Sequence, residues 1–229
     1  MRQFFIIICM LLSLPVMAQR SRDVQIQLQP SFADRAVEMG GAYYTLPGGD
    51  SVQFETFRCY VSNVIFYSNG MVVFKEAGSY HLVDAADAAG MQFVVHNAPT
   101  AFDEIGFDLG IDSVTNVSGA LGGDLDPTKG MYWSWQSGYI NLKLEGRSNL
   151  CKTRKNEFQF HLGGYAKEMN ALAAVRLKAG NGNAIKLYLR LDKFLQGIDL
   201  ATNNSIMIPG KDAVVLAKKI AGLFEATAP

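Results

Sequence analysis

The residues with the most chemical potential are two tryptophans and a histidine. Trp133 and Trp135 are the only tryptophans of the chain and stand two positions apart. Residues two apart on a β-strand point to the same face, so we expect the two indoles side by side. His161, one of three histidines, follows Phe160 downstream. Alternation along that strand places His161 on the polar face, where a ligand can reach it.

These side chains suggest a metal site. An imidazole is a good copper or zinc ligand, and a site of nitrogen and oxygen donors favours copper among first-row divalent ions. His161 is the first candidate. His81 is the second, and Asp84 could orient its ring or share the metal. The alternative for each is a structural histidine bonded to a neighbouring loop.

Other candidates carry weaker signals. His96 stands at a strand end, and Asp124 with Asp126 could bind calcium or simply form a solvated turn. The tryptophan pair could be core, or an exposed platform on which sugar rings stack. The motifs of a serine-hydrolase elbow, a phosphate-binding glycine loop, a zinc-protease helix or a Cys-x-x-Cys pair are not found. We therefore expect no enzyme activity.

The first residues predict export. Residues 1–18 have a charged start at Arg2, an apolar run and small residues before Gln19, as in a secretory signal peptide. The apolar run is shorter than the about 20 residues that span a bilayer. Residues 19–229 then form a single domain, periplasmic or secreted, with no membrane attachment after cleavage. The formal net charge of +0 gives no basic field for nucleic acid.

Two cysteines remain after the predicted cleavage, Cys59 and Cys151. Paired cysteines are usual in an oxidising compartment, so we predict a Cys59–Cys151 disulfide. The alternative is two separate buried thiols.

The elements that must position these residues are mainly strands. Short alternating runs are separated by turn signals such as Asn69-Gly70, and the stretch 110–130 predicts a long surface loop. We expect a strand over 132–145 and another over 157–162. One amphipathic pattern, over 211–226, predicts a helix. The fold class predicted is all-β, a Greek-key-like β-sandwich closed by a C-terminal α-helix.

The chain resembles a known family at these same residues. The segment 130–139 with its Trp-x-Trp-x-x-Gly-Tyr motif, followed by Phe160-His161-Leu162-Gly163, is similar to the MbnP-like family of secreted copper-binding proteins. The resemblance covers nearly the whole mature chain. It implies a periplasmic β-rich domain that holds copper with two histidines and a tryptophan oxidised to kynurenine. It also implies a dihaem partner of the cytochrome peroxidase type that performs the oxidation.

This chain departs from the family at one ligand. Some members have a histidine two residues after the modified tryptophan, where this chain has Trp135 after Trp133 and Ser137 after Trp135. His81 is our hypothesis for its replacement. The sequence thus favours an exported copper-binding protein for copper acquisition, buffering or delivery. The alternative is a metal-free interaction or carbohydrate-binding module that uses the tryptophan pair.

Overall fold

The structure is a computed structural model that describes residues 21–135 and 138–226. The predicted signal peptide, residues 1–18, lies outside the described residues. The described part is built from fifteen strands and three α-helices. No helix within these ranges is long and apolar enough to cross a membrane.

The smaller sheet has five strands and is centred on β1. The chain forms it from distant segments, because β1 pairs in parallel with β13 and antiparallel with β2 and β7. Strand β15 pairs antiparallel with the edge of β13 that is opposite β1. The bounds are β1 (Ser21–Phe32), β2 (Arg35–Ala36), β7 (Gln92–Pro99), β13 (Ala184–Arg190) and β15 (Phe224–Ala226).

The larger sheet is organised by one long strand, β4. In order it runs β12, β8, β4, β10, β11 and β14, with β3, β5 and β6 also paired to β4 and with β9 paired to β10. The bounds are β3 (Tyr43–Thr45), β4 (Ser51–Ser68), β5 (Met71–Lys75), β6 (Tyr80–Asp84), β8 (Glu104–Leu109), β9 (Tyr132–Trp133), β10 (Gly138–Ser148), β11 (Glu157–Gly163), β12 (Ala173–Lys178) and β14 (Ser205–Ile206).

The main core lies between the two sheets, because each strand alternates apolar and polar residues. Buried residues such as Ile26, Leu187, Val61 and Phe160 belong to one continuous apolar cluster. The helices are α1 (Ser113–Val117), α2 (Leu191–Leu195) and α3 (Lys211–Ala221), and α3 packs near β11 and β12. The predicted β-sandwich with a C-terminal helix is therefore confirmed.

A second, smaller cluster lies on the outer face of the larger sheet. It is made of aromatic and aliphatic side chains with one methionine and is covered by the loop between β8 and β9. Its buried members are Tyr60, Ile111, Leu125, Met131, Trp133, Tyr139 and Ile140. We refer to it below as the outer cluster.

The C-terminal helix is shorter than predicted. It ends at Ala221 with Gly222 as its cap, whose N–H bonds to carbonyls of the last turn. The residues that continued the helical pattern, Phe224–Ala226, instead pair with β13 as a strand. A glycine at a helix end and a free edge on β13 outweigh the weak periodicity of this segment.

The predicted Cys59–Cys151 disulfide is wrong in this structure, which has two free, buried thiols. The backbone N–H of Cys151 donates a hydrogen bond to the carbonyl of Ser148, and Ser148 pairs with Val52 of β4. Val52 and Cys59 are separated along β4 by about 23 Å at 3.3 Å per residue. A disulfide needs its two Cα atoms within about 7 Å. The long strand thus keeps the two sulfur atoms apart.

Candidate metal centre

A hairpin presents the two tryptophans. Trp133 ends β9 and pairs with Gly138 at the start of β10, so the strand predicted over 132–145 is in fact two strands with a turn between them. Trp135 lies in that turn, and residues 136–137 are outside the described ranges.

The two indoles are close but differ in exposure. Their ring centroids are 5.7 Å apart and their planes are tilted by 45°. Trp133 is 6% exposed and belongs to the outer cluster, whereas Trp135 is 60% exposed. The rings therefore do not form a flat, open platform of the kind on which sugar rings stack.

Trp133 packs against β11, the strand that carries His161. A Cβ added at Gly163 would stand 2.7 Å from Cζ3 and 3.0 Å from Cη2 of Trp133, so the indole rests on the bare backbone of β11. His161 is two residues before Gly163 and points to the same face, about 7 Å along the strand. The sequence-predicted tryptophan and histidine therefore lie on the same face of β11, with the indole packed two residues beyond His161.

Glu145 holds the imidazole of His161. Nε2 of His161 is 2.7 Å from Oε1 of Glu145, and His161 is 6% exposed. Burial works to raise the pKa of Glu145, but hydrogen bonds from His161 and Thr56 outweigh it and lower the pKa. Glu145 is therefore ionised and accepts, so Nε2 of His161 carries the proton. Nδ1 is the nitrogen left with a lone pair.

Burial also keeps His161 neutral. It lowers the pKa of His161, and the nearby ammonium of Lys143 lowers it further, against the opposing effect of Glu145. A neutral imidazole is the form that binds a metal. The physical state of His161 therefore suits a ligand.

A row of charged side chains crosses the same face. Cross-strand pairing aligns Asp84, Arg58, Lys143 and His161 on four adjacent strands. Nε of Arg58 is 2.7 Å from Asp84, and its Nη1 donates to the carbonyl of Lys129. Burial lowers the pKa of Lys143, aided by Arg58 and opposed by Glu145.

Charged and amide side chains fasten the covering loop to the sheet. Nζ of Lys143 donates to the carbonyl of Gly130 at 2.7 Å. Asp124 accepts from the backbone N–H of Leu82 at 3.0 Å. Asn116 accepts from the N–H of Tyr139 and donates to the carbonyl of Ile111. The loop that the sequence predicts as irregular is thus tied to the sheet over the outer cluster.

His81 does not join this site, so our hypothesis that it replaces the missing ligand is wrong. His81 pairs with Val61, whose side chain is on the core side of β4. Val61 is three positions from Arg58, which pairs with Lys143 and lies on the outer face. An odd separation on a regular strand puts His81 and His161 on opposite faces. Nε2 of His81 contacts Glu76 at 2.8 Å, and its ring stacks on Phe93 at 4.0 Å.

The remaining candidates are engaged elsewhere. His96 is an exposed partner of Asp23, with Nδ1 3.0 Å from its carboxylate. Asp124 binds Nζ of Lys129 at 2.6 Å, and Asp126 caps a short 3-10 turn by accepting from Thr128. Asp126 uses its carboxylate within the loop, whereas Asp124 joins Lys129 of the loop to the backbone of Leu82 on β6, so both carboxylates have structural partners.

Sequence reasoning missed Glu145 and Lys143 as neighbours of His161. The sequence shows that Lys143 and Glu145 alternate with apolar residues along β10. Only the register between β10 and β11 shows that these two side chains lie next to His161. Within residues 21–135 and 138–226, no three His, Cys, Asp or Glu side chains are grouped as a metal cage.

The donor set still suits copper. It contains a neutral imidazole, an indole on the same face of β11 and a carboxylate that orients the imidazole, as the outer partners of metal-bound histidines do. Arg58 in the row is paired with Asp84 and bonded to the carbonyl of Lys129, and Lys143 is bonded to the carbonyl of Gly130. The residues present therefore fit a copper ion with few protein ligands.

Comparison with known proteins gives two findings. A family model described as MbnP matches residues 21–208. The solved structure of MbnP from Methylosinus trichosporium is similar over 85% of this chain and 87% of that chain, with a TM-score of 0.62 and 15% sequence identity. That likeness shows a shared fold. Curated proteins gave no match.

Proposed function

Because this chain belongs to the MbnP family, we propose that it is an exported, non-enzymatic copper-binding protein that serves copper acquisition, buffering or delivery. The proposal places the metal on the outer face of the larger sheet, at His161 and Trp133. His81 is left out, since it faces the core.

One observation carries this proposal: His161 is buried, neutral and oriented, with an indole on the same face of β11. Glu145 accepts from Nε2, and the lowered pKa leaves Nδ1 free of a proton near neutral pH.

Each residue has a distinct role in this proposal. His161 binds the ion through Nδ1, and Glu145 fixes the tautomer and ring orientation. Trp133 shields the site from water and presents its π face. Copper, when bound, supplies a soft, redox-active cation. The outer cluster surrounding Trp133 holds the indole in place.

A chemical change at Trp133 would strengthen the site. The indole nitrogen has its lone pair in the ring, whereas kynurenine has an aromatic amine whose lone pair can bind a metal. A dihaem partner of the cytochrome peroxidase type is the oxidant that the family resemblance implies. Trp135 is exposed at the hairpin turn, and its ring centroid is 5.7 Å from that of Trp133.

The test is a copper titration against a chromophoric chelator, with His161→Ala compared with wild type. We expect the substitution to weaken copper binding by at least about 10–100-fold, since loss of even an outer partner of a metal ligand has that effect. His96→Ala is the matched control, because His96 is exposed and paired with Asp23. Equal affinity of wild type and His161→Ala would overturn the proposal.

The oxidation is tested separately by mass spectrometry on protein purified from its own host. We expect a mass increase confined to the peptide that contains Trp133. An unmodified peptide in the copper-loaded native protein would remove the kynurenine from the proposal and leave the role of His161 standing.

A further inference from the structure

Extending the register of β14 against β11 by one position places a methionine level with His161, on the side away from the strand of Glu145. Strand β14 lies parallel to β11, with Gln159 opposite Ser205 and Phe160 opposite Ile206. The next position in this register puts Met207 opposite His161. Neighbouring strands are about 4.8 Å apart, which a methionine side chain spans easily.

A second contact confirms that the chain stays alongside β11 beyond the end of β14. A Cβ added at Gly164 would stand 3.0 Å from Cβ of Pro209. The segment from Ile206 to Pro209 is therefore held beside β11 at both ends. Met207 lies between these two anchors, level with His161.

The burial pattern gives the direction of the side chain. Ser205 is exposed, Ile206 packs against the main core, and Met207 is 37% exposed. This alternation puts Met207 on the outer face, the face of His161 and Trp133. The strand β11 that carries His161 thus has the strand of Glu145 on one side and the segment of Met207 on the other.

A thioether is a soft ligand that prefers Cu(I), while carboxylates and water suit harder ions. We propose that Met207 supplies a sulfur donor beside His161 and makes this site selective for Cu(I). This inference rests on the proposed copper function. It gives the chain a replacement for the ligand that Ser137 does not provide, at a position that the tryptophan motif does not include.

The first test compares affinities for Cu(I) and Cu(II) in the presence and absence of a reductant. Met207→Leu keeps the apolar shape and removes the sulfur. We expect it to lower Cu(I) affinity at least about tenfold, because a lost ligand matters at least as much as a lost outer partner. Cu(II) affinity should be unchanged. Met71→Leu is the matched control, since Met71 is also exposed, at 70%, and lies in a distant hairpin.

The second test does not depend on affinity. In protein labelled with carbon-13 at the methionine methyl groups, one equivalent of Cu(I) should shift the methyl signal of Met207 and leave that of Met71 unmoved. X-ray absorption of the Cu(I)-loaded protein should show a sulfur scatterer that is lost in Met207→Leu.

The outcomes separate the two proposals. If Met207→Leu binds Cu(I) as wild type does while His161→Ala has lost binding, Met207 is not a ligand and the copper function stands. If His161→Ala also binds normally, the copper site at β11 is wrong and the inference fails with it. A Cu(I)-dependent shift at Met71 equal to that at Met207 would show nonspecific binding to thioethers and would overturn the inference.

Discussion

The contact between Gly163 and Trp133 can be tested by adding one methyl group. In Gly163→Ala the new Cβ would stand 2.7 Å from the Trp133 ring and 2.7 Å from the carbonyl oxygen of Tyr139. Both distances are shorter than a normal contact, and the carbonyl belongs to a paired strand that cannot easily move. We therefore expect the indole to be pushed away from β11.

The size of the effect follows from two opposing contributions. Overpacking a filled site costs about 1–3 kcal/mol. Replacing glycine by alanine also restricts the unfolded chain, which stabilises the fold by about 0.4–1 kcal/mol where the backbone allows it. We expect Gly163→Ala to lose about 1–2 kcal/mol of unfolding free energy. For a chain of this size that lowers Tm by about 2–8 °C.

Urea unfolding followed by tryptophan fluorescence measures this loss, and Gly122→Ala is the control. Gly122 has an ordinary φ of −96° and no atom within 4 Å of an added Cβ. Its alanine variant should be neutral or slightly more stable. The reasoning is refuted if Gly163→Ala is as stable as Gly122→Ala.

A double-mutant cycle assigns the loss to the indole. Trp133→Leu removes both ring atoms that the new Cβ would meet. In that background Gly163→Ala should cost less, by about 0.5 kcal/mol or more, as residues in contact usually show. Strict additivity would mean that the backbone of Tyr139, and not the ring of Trp133, sets the penalty.

Three further predictions concern charge and sulfur. Glu145→Gln should weaken copper binding by about 10–100-fold in chelator competition, because the carboxylate that orients the imidazole is lost; unchanged affinity would contradict this role. Burial works to raise the pKa of Glu76, but hydrogen bonds including that from His81 lower it below the usual 4.5. The stabilisation of the fold by ionised Glu76 is therefore present above that value and lost as the pH falls. In acid unfolding experiments, the unfolding free energy of Glu76→Gln should consequently change less with pH than that of wild type. Cys59 and Cys151 are buried, which raises the pKa of both thiols. Thiol titration should therefore detect neither thiol quickly in the native protein and both after denaturation. If neither reacts in the denatured, unreduced protein, the two cysteines form the disulfide after all.

Local patterns were sufficient for the fold class. Alternation predicted the strands, the Asn69-Gly70 step predicted the hairpin between β4 and β5, and apolar spacing predicted α3. Each depends on neighbours in the sequence. The end of α3 was missed because Phe224 finds its partner on β13, far along the chain.

The site depended on register, which the sequence does not contain. A shift of one residue moves a side chain to the other face of a sheet. His161 and His81 were the first and second ligand candidates in sequence, yet one faces the outer side of the larger sheet and the other faces the core. The same limitation applies to Cys59, whose distance from Cys151 is set by the length of β4.

The parallel pairing of β1 with β13 has a consequence for the order of folding. Ile26 meets Ile185, so the first strand cannot be completed until most of the polypeptide has been made. Contacts between such distant segments form slowly, because a large loop must be closed first. The larger sheet, built mostly from residues 43–178, can assemble before that closure. We expect the early strand to stay open to proteases and chaperones until the last third of the chain arrives.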